Sequence, residues 1–193
     1  AIGEGVSAVR LGDRDSYTLA NGAYATHRTV SVAQVIRLPD YVSDQQAAAS
    51  TLKGLTAHYL LHDSYRVEAG DTVLFHAAAG GVGLIAGQWL KSKGVTAIGT
   101  AGGSEKCALA AENGYAHVID YKSEDFTELV AELTGGKGVA AVYDSVGKDT
   151  VSGSLKCLKK YGTLVSFGQS SGPASDFKIT DLSAGSHRLT RPT

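Results

Sequence analysis

Hydrophobic positions in the later part of the chain follow two alternating rhythms. Short runs rich in β-branched and aromatic residues are each followed by a segment whose apolar residues return at helical spacing. From Asp71 onward the pattern predicts strands over Thr72–His76, Val95–Gly99, His117–Asp120, Val139–Asp144 and Thr163–Gly168, with a last short strand at His187–Thr190. Between them it predicts helices over Gly81–Ser92, Ser104–Asn113, Ser123–Leu133 and Asp149–Leu158, two of them stopped by Gly114 and by Gly135-Gly136. Strands alternating with helices of this length form right-handed βαβ units and a parallel sheet covered on both faces. Six strands in two halves predict an α/β protein with a doubly wound parallel six-stranded sheet of Rossmann type.

Before Ser43 the pattern is different. Gly12-Asp13-Arg14 reads as a turn, Gly22–Val30 as a strand of mixed alternation, and Val35-Ile36 as another, with Pro39 closing the region. Ser43-Asp44-Gln45-Gln46 then forms a capping box, in which Ser43 and Gln46 satisfy each other's amides. The helix it opens is expected to loosen at Gly54, with a second helical piece from Leu55 to about His62. The expected division is therefore a β-rich piece over 1–45 and the α/β domain over 46–193.

Composition narrows the class. A 43% hydrophobic and 19% charged chain of 193 residues is an ordinary globular protein with room for a sizeable core. A net charge of -1 provides no basic field for nucleic acid or anionic membrane, so neither is an expected partner. No apolar run is long enough to span a bilayer. Cys107 and Cys157 lack metal-type spacing and read as reduced thiols, which points to a cytoplasmic setting. Methionine is absent even at position 1, so the chain is expected to be an internal piece of a longer protein.

The chemistry centres on the turn after the first predicted strand of the α/β part. Against G-x-G-x-x-G it offers Ala78-x-Gly80-x-x-Gly83, with alanine in the first place. The match is weak alone, but it leaves a strand, opens a helix and begins a βαβ series. Gly80 would admit a pyrophosphate and Gly83 close packing of helix on strand. An NAD site usually ends its second strand in an acid that binds the ribose 2′-hydroxyl. Here that strand runs into Gly99-Thr100-Ala101-Gly102-Gly103, and Ser104 and Lys106 follow. A 2′-phosphate would be repelled by a carboxylate and welcomed by an ammonium group near a helix N-terminus, so NADP is favoured. Glu105 is a mild objection, and Lys106 reads equally well as a solvated helix position. Small polar residues at Asp144-Ser145-Val146-Gly147 and Phe167-Gly168-Gln169-Ser170 could line the nicotinamide side, or be plain loop. His58 and His62 share a helical face but lack a third ligand, so no metal is expected. No tyrosine has a lysine four residues later, which removes the Tyr-x-x-x-Lys reductases.

Ala47–Ala57 together with Phe75–Gly83 resembles the zinc-free, zeta-crystallin-like quinone oxidoreductases of the medium-chain dehydrogenase/reductases. Val142–Gly147, Val165–Gly168 and Thr190-Arg191-Pro192 resemble the same family. The resemblance implies NADPH, a two-domain subunit with a GroES-like catalytic domain, a homodimer, and reduction of quinones or related α,β-unsaturated carbonyls. It implies that Ala78, Gly80, Gly81, Val82 and Gly83 meet the pyrophosphate and that Gly99, Ser104, Lys106 and Tyr121 surround the 2′-phosphate. Val146, Phe167, Gly168, Gln169 and Ser170 would approach the nicotinamide half, with Thr56. No protein acid or base is expected within the chain, although Arg191 could polarise an acceptor. The family's opening strands and closing segment have no counterpart here, so the first 45 residues would be a fragment of the catalytic domain. An enoyl or alkenal reductase is the alternative within the enzymes. A dinucleotide-regulated binding module without turnover is the alternative outside them. The dimer contact is expected at the last sheet edge, near His187–Thr190.

Overall fold

A computed structural model describes residues 1–18 and 21–192. The chain divides into two compact units, 1–55 and 56–193.

In the first unit, β1 (Asp15–Tyr17) pairs antiparallel with β2 (Val35–Arg37), Ser16 opposite Ile36. Arg14 donates to Asp44 at 3.1 and 2.6 Å and to the Val42 carbonyl at 2.7 Å. The strand expected over Gly22–Val30 does not form; that segment is bends and irregular chain. A strand needs a partner ladder and a face to bury, and Tyr24 at its centre is fully exposed. The capping box forms on both sides. Gln46 Oε1 accepts the Ser43 amide at 2.9 Å and Ser43 Oγ accepts the Gln46 amide at 3.1 Å. Helix α1 then runs unbroken over Asp44–Tyr59, straight through Gly54, and ends in a wider turn over Leu60–Ser64. One glycine costs a helix only about 1 kcal/mol, too little to divide it.

The second unit is the α/β part. Its elements are β3 (Thr72–Phe75), α2 (Gly81–Ser92), β4 (Thr96–Ala101), α3 (Ser104–Glu112), β5 (His117–Asp120), α4 (Phe126–Leu133), β6 (Val139–Asp144), α5 (Val151–Cys157), β7 (Leu158–Ser166) and β8 (Arg188–Thr190). The six strands form one sheet in the order β5-β4-β3-β6-β7-β8, every pair parallel. The chain winds outward from β3 to β5, then returns to lay β6 on the other side of β3. That reversal puts a switch point between β3 and β6, where ligands bind in open α/β sheets.

Burial on both faces explains the unbroken apolar strand runs. Along β3, Val73 and Phe75 point to one face, where Ala86 and Leu90 of α2 cover them. Leu74 points to the other, packing with Val130 of α4 and Val151 and Leu155 of α5. The starts of α4 and β7 differ from expectation by three residues or more. Helix α4 starts at Phe126, because Asp125 caps it by accepting the Thr127 amide at 2.7 Å. Strand β7 starts five residues early, at Leu158, since a register shift between Val139 and Ala141 lets it pair across an irregular stretch.

Candidate functional site

Strand β3 leaves the sheet at His76. Ala77 then turns the chain with a left-handed φ of 55°. The Ala78 amide donates to the Thr100 carbonyl at 2.9 Å and the Gly80 amide to the Ala77 carbonyl at 2.8 Å. Gly80 is the N-cap of α2. Gly81, Val82 and Gly83 form the first turn, whose amides have no acceptor within the helix and suit an anion. A Cβ on Gly83 would lie 2.5 Å from the Ala78 oxygen and 2.6 Å from the Ala77 oxygen. Only glycine lets α2 sit this close to the turn. Ala78 is fully buried, and a Cβ on Gly99 would lie 2.6 Å from its methyl. Gly99 thus packs beneath the turn.

Beyond β4, Ser104 and Lys106 are exposed on the first turn of α3. The Tyr121 hydroxyl lies against Gly102. No acid ends β4. Three nearby carboxylates, Asp120, Glu124 and Asp125, accept backbone amides, while Glu105 is exposed beside Ser104 and Lys106. Asp120 accepts the Gly103 amide at 2.9 Å and the Lys122 amide at 3.1 Å, and these bonds hold its carboxyl below the usual range. Glu124 accepts the Asp120 amide at 2.8 Å. The hydroxyl and then the amide of Thr127 hold the Asp125 carboxyl low in the same way.

The turns after β6 and β7 are laced together. The Ser170 amide donates to the Ser145 carbonyl at 3.1 Å, and the Ser171 amide to the Val146 carbonyl at 2.9 Å. Gly168 permits this contact, since a Cβ there would meet the Ser145 oxygen at 2.6 Å. Phe167 points inward, its ring 5.8 Å from that of Phe75, while Gln169 is exposed. Arg191 donates to the Ser166 carbonyl at 2.8 Å, which places it at the same strand ends.

These turns enclose a cavity of about 700 Å³. Gly80, Lys106, Tyr121, Val146 and Ser170 line it together, with His76, Thr100, Phe126, Thr150, Lys156 and the carboxylates Glu124, Asp125 and Asp149. Ala78, Gly81, Val82, Gly83, Gly99, Ser104, Phe167, Gly168 and Gln169 belong to the surrounding turns without lining it. Thr56 lies apart from the lining, half-buried on α1. A second cavity of about 640 Å³, between α5 and the 3-10 segment Ile179–Gly185, contains none of the cofactor-binding residues anticipated from sequence.

Sequence reasoning missed the polar network behind the cavity. His76 is buried at 1% exposure, with Nδ1 2.9 Å from the Thr100 hydroxyl and Nε2 2.9 Å from the Ser154 hydroxyl. Ser154 reaches Asp144 at 3.2 Å, and Asp144 also accepts the Val146 amide at 2.8 Å, the Gly147 amide at 3.0 Å and the Thr150 hydroxyl. One signal was available. A histidine and an aspartate each close an apolar strand run, where a polar residue needs a partner.

Burial lowers the His76 ring from its ordinary 6.5 to about 4, with the Asp144 charge opposing the shift. Between these values the unfolded chain takes up the proton and the folded chain does not, so the unfolded form gains as acid is added. The contribution of His76 to stability is complete above pH 6.5 and falls as the pH drops toward 4. From pH 7 to pH 5 the expected loss is on the order of 2 kcal/mol. Urea midpoints at both pH values check this against His76→Leu, which should lack that part of the slope. Equal slopes would sink the assignment.

His58 and His62 stack on each other at 4.6 Å and lean on Trp89, and His62 Nδ1 donates to the His58 carbonyl. Among the described residues no three His, Cys, Asp or Glu side chains gather as metal ligands. This donor set does not fit a zinc ion.

The family profile described as zinc-binding dehydrogenase matches residues 81–191. Quinone oxidoreductase of Salmonella typhimurium is 48% identical over the whole of this chain and 59% of its own length. The 2-haloacrylate reductase of a Burkholderia species is 43% identical, over 99% of this chain and 59% of its own. The crystal structure of Escherichia coli quinone oxidoreductase complexed with NADPH superposes with a TM-score of 0.96 at 46% identity, covering all of this chain and 60% of that one. The chain thus spans about three-fifths of the length of these relatives. The profile match over residues 81–191, on the six-stranded parallel sheet described above, makes the chain a member of the zinc-binding dehydrogenase family.

Proposed function

We propose that the chain is the NADPH-binding part of an enzyme that reduces quinones. The observation that carries this reading is the cavity at the switch point, where the open end of α2, Lys106 and the turns after β6 and β7 converge. The residues fit the cofactor. Glycines at 80, 81 and 83 let a pyrophosphate approach the backbone, the β4 end lacks a repelling acid, and about 700 Å³ suits a ligand of this class. When bound, NADPH supplies the reducing equivalents. The protein binds and orients. The amides opening α2 take the pyrophosphate, Ser104, Lys106 and Tyr121 take the 2′-phosphate, and Val146, Phe167, Gly168, Gln169 and Ser170 hold the nicotinamide side, while Thr56 stands outside the cavity lining.

The test is a fluorescence titration with NADPH and NADH, repeated with Lys106→Ala. The variant is expected to lose roughly tenfold in NADPH affinity and little in NADH affinity. Wild-type chain that binds both nucleotides equally, or neither, would refute the assignment.

A second acceptor class has its own support. The 43% identity to a 2-haloacrylate reductase favours an activated carbon–carbon double bond beside a carbonyl. NADPH oxidation with a benzoquinone against an unsaturated aldehyde separates the two.

The wider assembly belongs to the same proposal. Residues 1–45 are read as part of a GroES-like catalytic domain and 46–193 as the dinucleotide-binding domain, which the antiparallel β1–β2 pair and the parallel sheet support. Free Cys107 and Cys157 suit a reducing, cytoplasmic setting. Strand β8 is the sheet edge, with Leu189 40% exposed, and an unpaired edge can join its copy in a homodimer. Sedimentation that shows only monomer at high concentration would exclude that contact for this chain.

A further inference from the structure

The two sides of the cavity stand on separate turns, one after β3 and one after β6. Backbone pairing joins their strands as far as the bond from the His76 amide to the Tyr143 carbonyl, 3.0 Å. Past that bond the link is made by side chains. Ser154 donates to Asp144 Oδ2, so it accepts from His76 Nε2–H, and Nδ1 is left to accept the Thr100 hydroxyl. Three bonds then run in one direction from β4, through His76, to α5 and β6, and end on a carboxylate. Thr100, His76, Ser154 and Asp144 are all at most 2% exposed. At the far end Asp144 grips the Val146 and Gly147 amides. Packing alone does not call for this. The ring already meets Phe126 edge-on at 5.0 Å, and an apolar residue of similar size would fill the place without burying two ring nitrogens.

We propose that His76 is a positioning residue that sets the spacing between the pyrophosphate turn and the nicotinamide-side turn, acting through Ser154. The proposal rests on the reading of the cavity as an NADPH site. Removing the link frees the α5–β6 end to shift against the glycine turn, which penalises a ligand that must engage both.

Calorimetric titration of NADPH against adenosine 2′,5′-bisphosphate tests this, because the bisphosphate lacks the nicotinamide half. The chains compared are wild type, His76→Leu, His76→Asn, His76→Gln and Ser154→Ala. A glutamine amide reaches the Nε2 position and keeps the Ser154 link, whereas asparagine reaches only the Nδ1 position. The Leu, Asn and Ser154→Ala variants are expected to lose roughly tenfold in NADPH affinity and less than about twofold for the bisphosphate. His76→Gln should stay near wild type for both. Equal losses for the two ligands, unchanged NADPH affinity, or a glutamine variant as weak as leucine would overturn the proposal. Wild-type chain that binds neither ligand overturns the NADPH reading, and this proposal with it.

Discussion

Gly83→Ala is expected to cost about 2–4 kcal/mol of stability and to weaken nucleotide binding by at least about tenfold. The added methyl would stand 2.5 Å from the Ala78 oxygen, 2.6 Å from the Ala77 oxygen and 2.8 Å from the Ala78 carbonyl carbon. All three are backbone atoms of a turn set by the left-handed Ala77, so no side chain can swing aside. Helix α2 cannot simply retreat either. The Tyr115 hydroxyl donates to the Gly83 carbonyl at 2.8 Å, and a Cβ on Gly87 would meet the Tyr115 ring at 2.5 Å. Relief of the clash must lift the first turn of α2, and with it the amides that would hold a pyrophosphate. The sign of the result carries the argument. In an open helix the same change stabilises by up to about 1 kcal/mol, and Gly54→Ala, with nothing within 4 Å, should do so. Urea denaturation of both variants decides it. A Gly83→Ala chain as stable as wild type would mean that the turn yields and the close approach is not required.

Much of the frame behind that prediction was legible in the sequence. The strand-helix alternation from Thr72 onward needs only local periodicity, and Ser43 with Gln46 carry their cap within four residues. What failed was non-local. Gly22–Val30 has strand-like residues but no partner. The early start of β7 depends on an irregularity opposite Val139–Ala141, which belongs to a pairing and not to either segment. Within the cavity, Gly80, Lys106, Tyr121, Val146 and Ser170 could be named because each sits at a strand end or a helix start. His76, Thr100, Thr150 and Phe126 could not. Each looks ordinary in its own segment, and the partners of His76 lie 24 and 78 residues away. Local signals show where a side chain emerges, whereas partnership across the sheet waits for the fold.

Asp144→Ala is expected to match or exceed the glycine change, at about 3–5 kcal/mol. Asp144 has no exposed surface, and it gathers the Val146 and Gly147 amides on Oδ1, the Thr150 hydroxyl, and the Ser154 hydroxyl on Oδ2. Alanine removes this acceptor from all four donors at once, and of the four the Thr150 hydroxyl keeps the Gly147 carbonyl at 3.2 Å. Two of them are backbone amides, which cannot turn elsewhere. Asp144→Asn separates charge from geometry. Its carbonyl oxygen can keep the two amides, and the Ser154 and Thr150 hydroxyls can rotate to accept from its NH₂ group. The asparagine variant should therefore lose well under half as much stability as alanine. Amide exchange of Val146 and Gly147 should quicken strongly in the alanine variant and little in the asparagine one. If asparagine costs as much as alanine, the negative charge holds the turn, and acceptor geometry is not what joins β6 to the wall of the cavity.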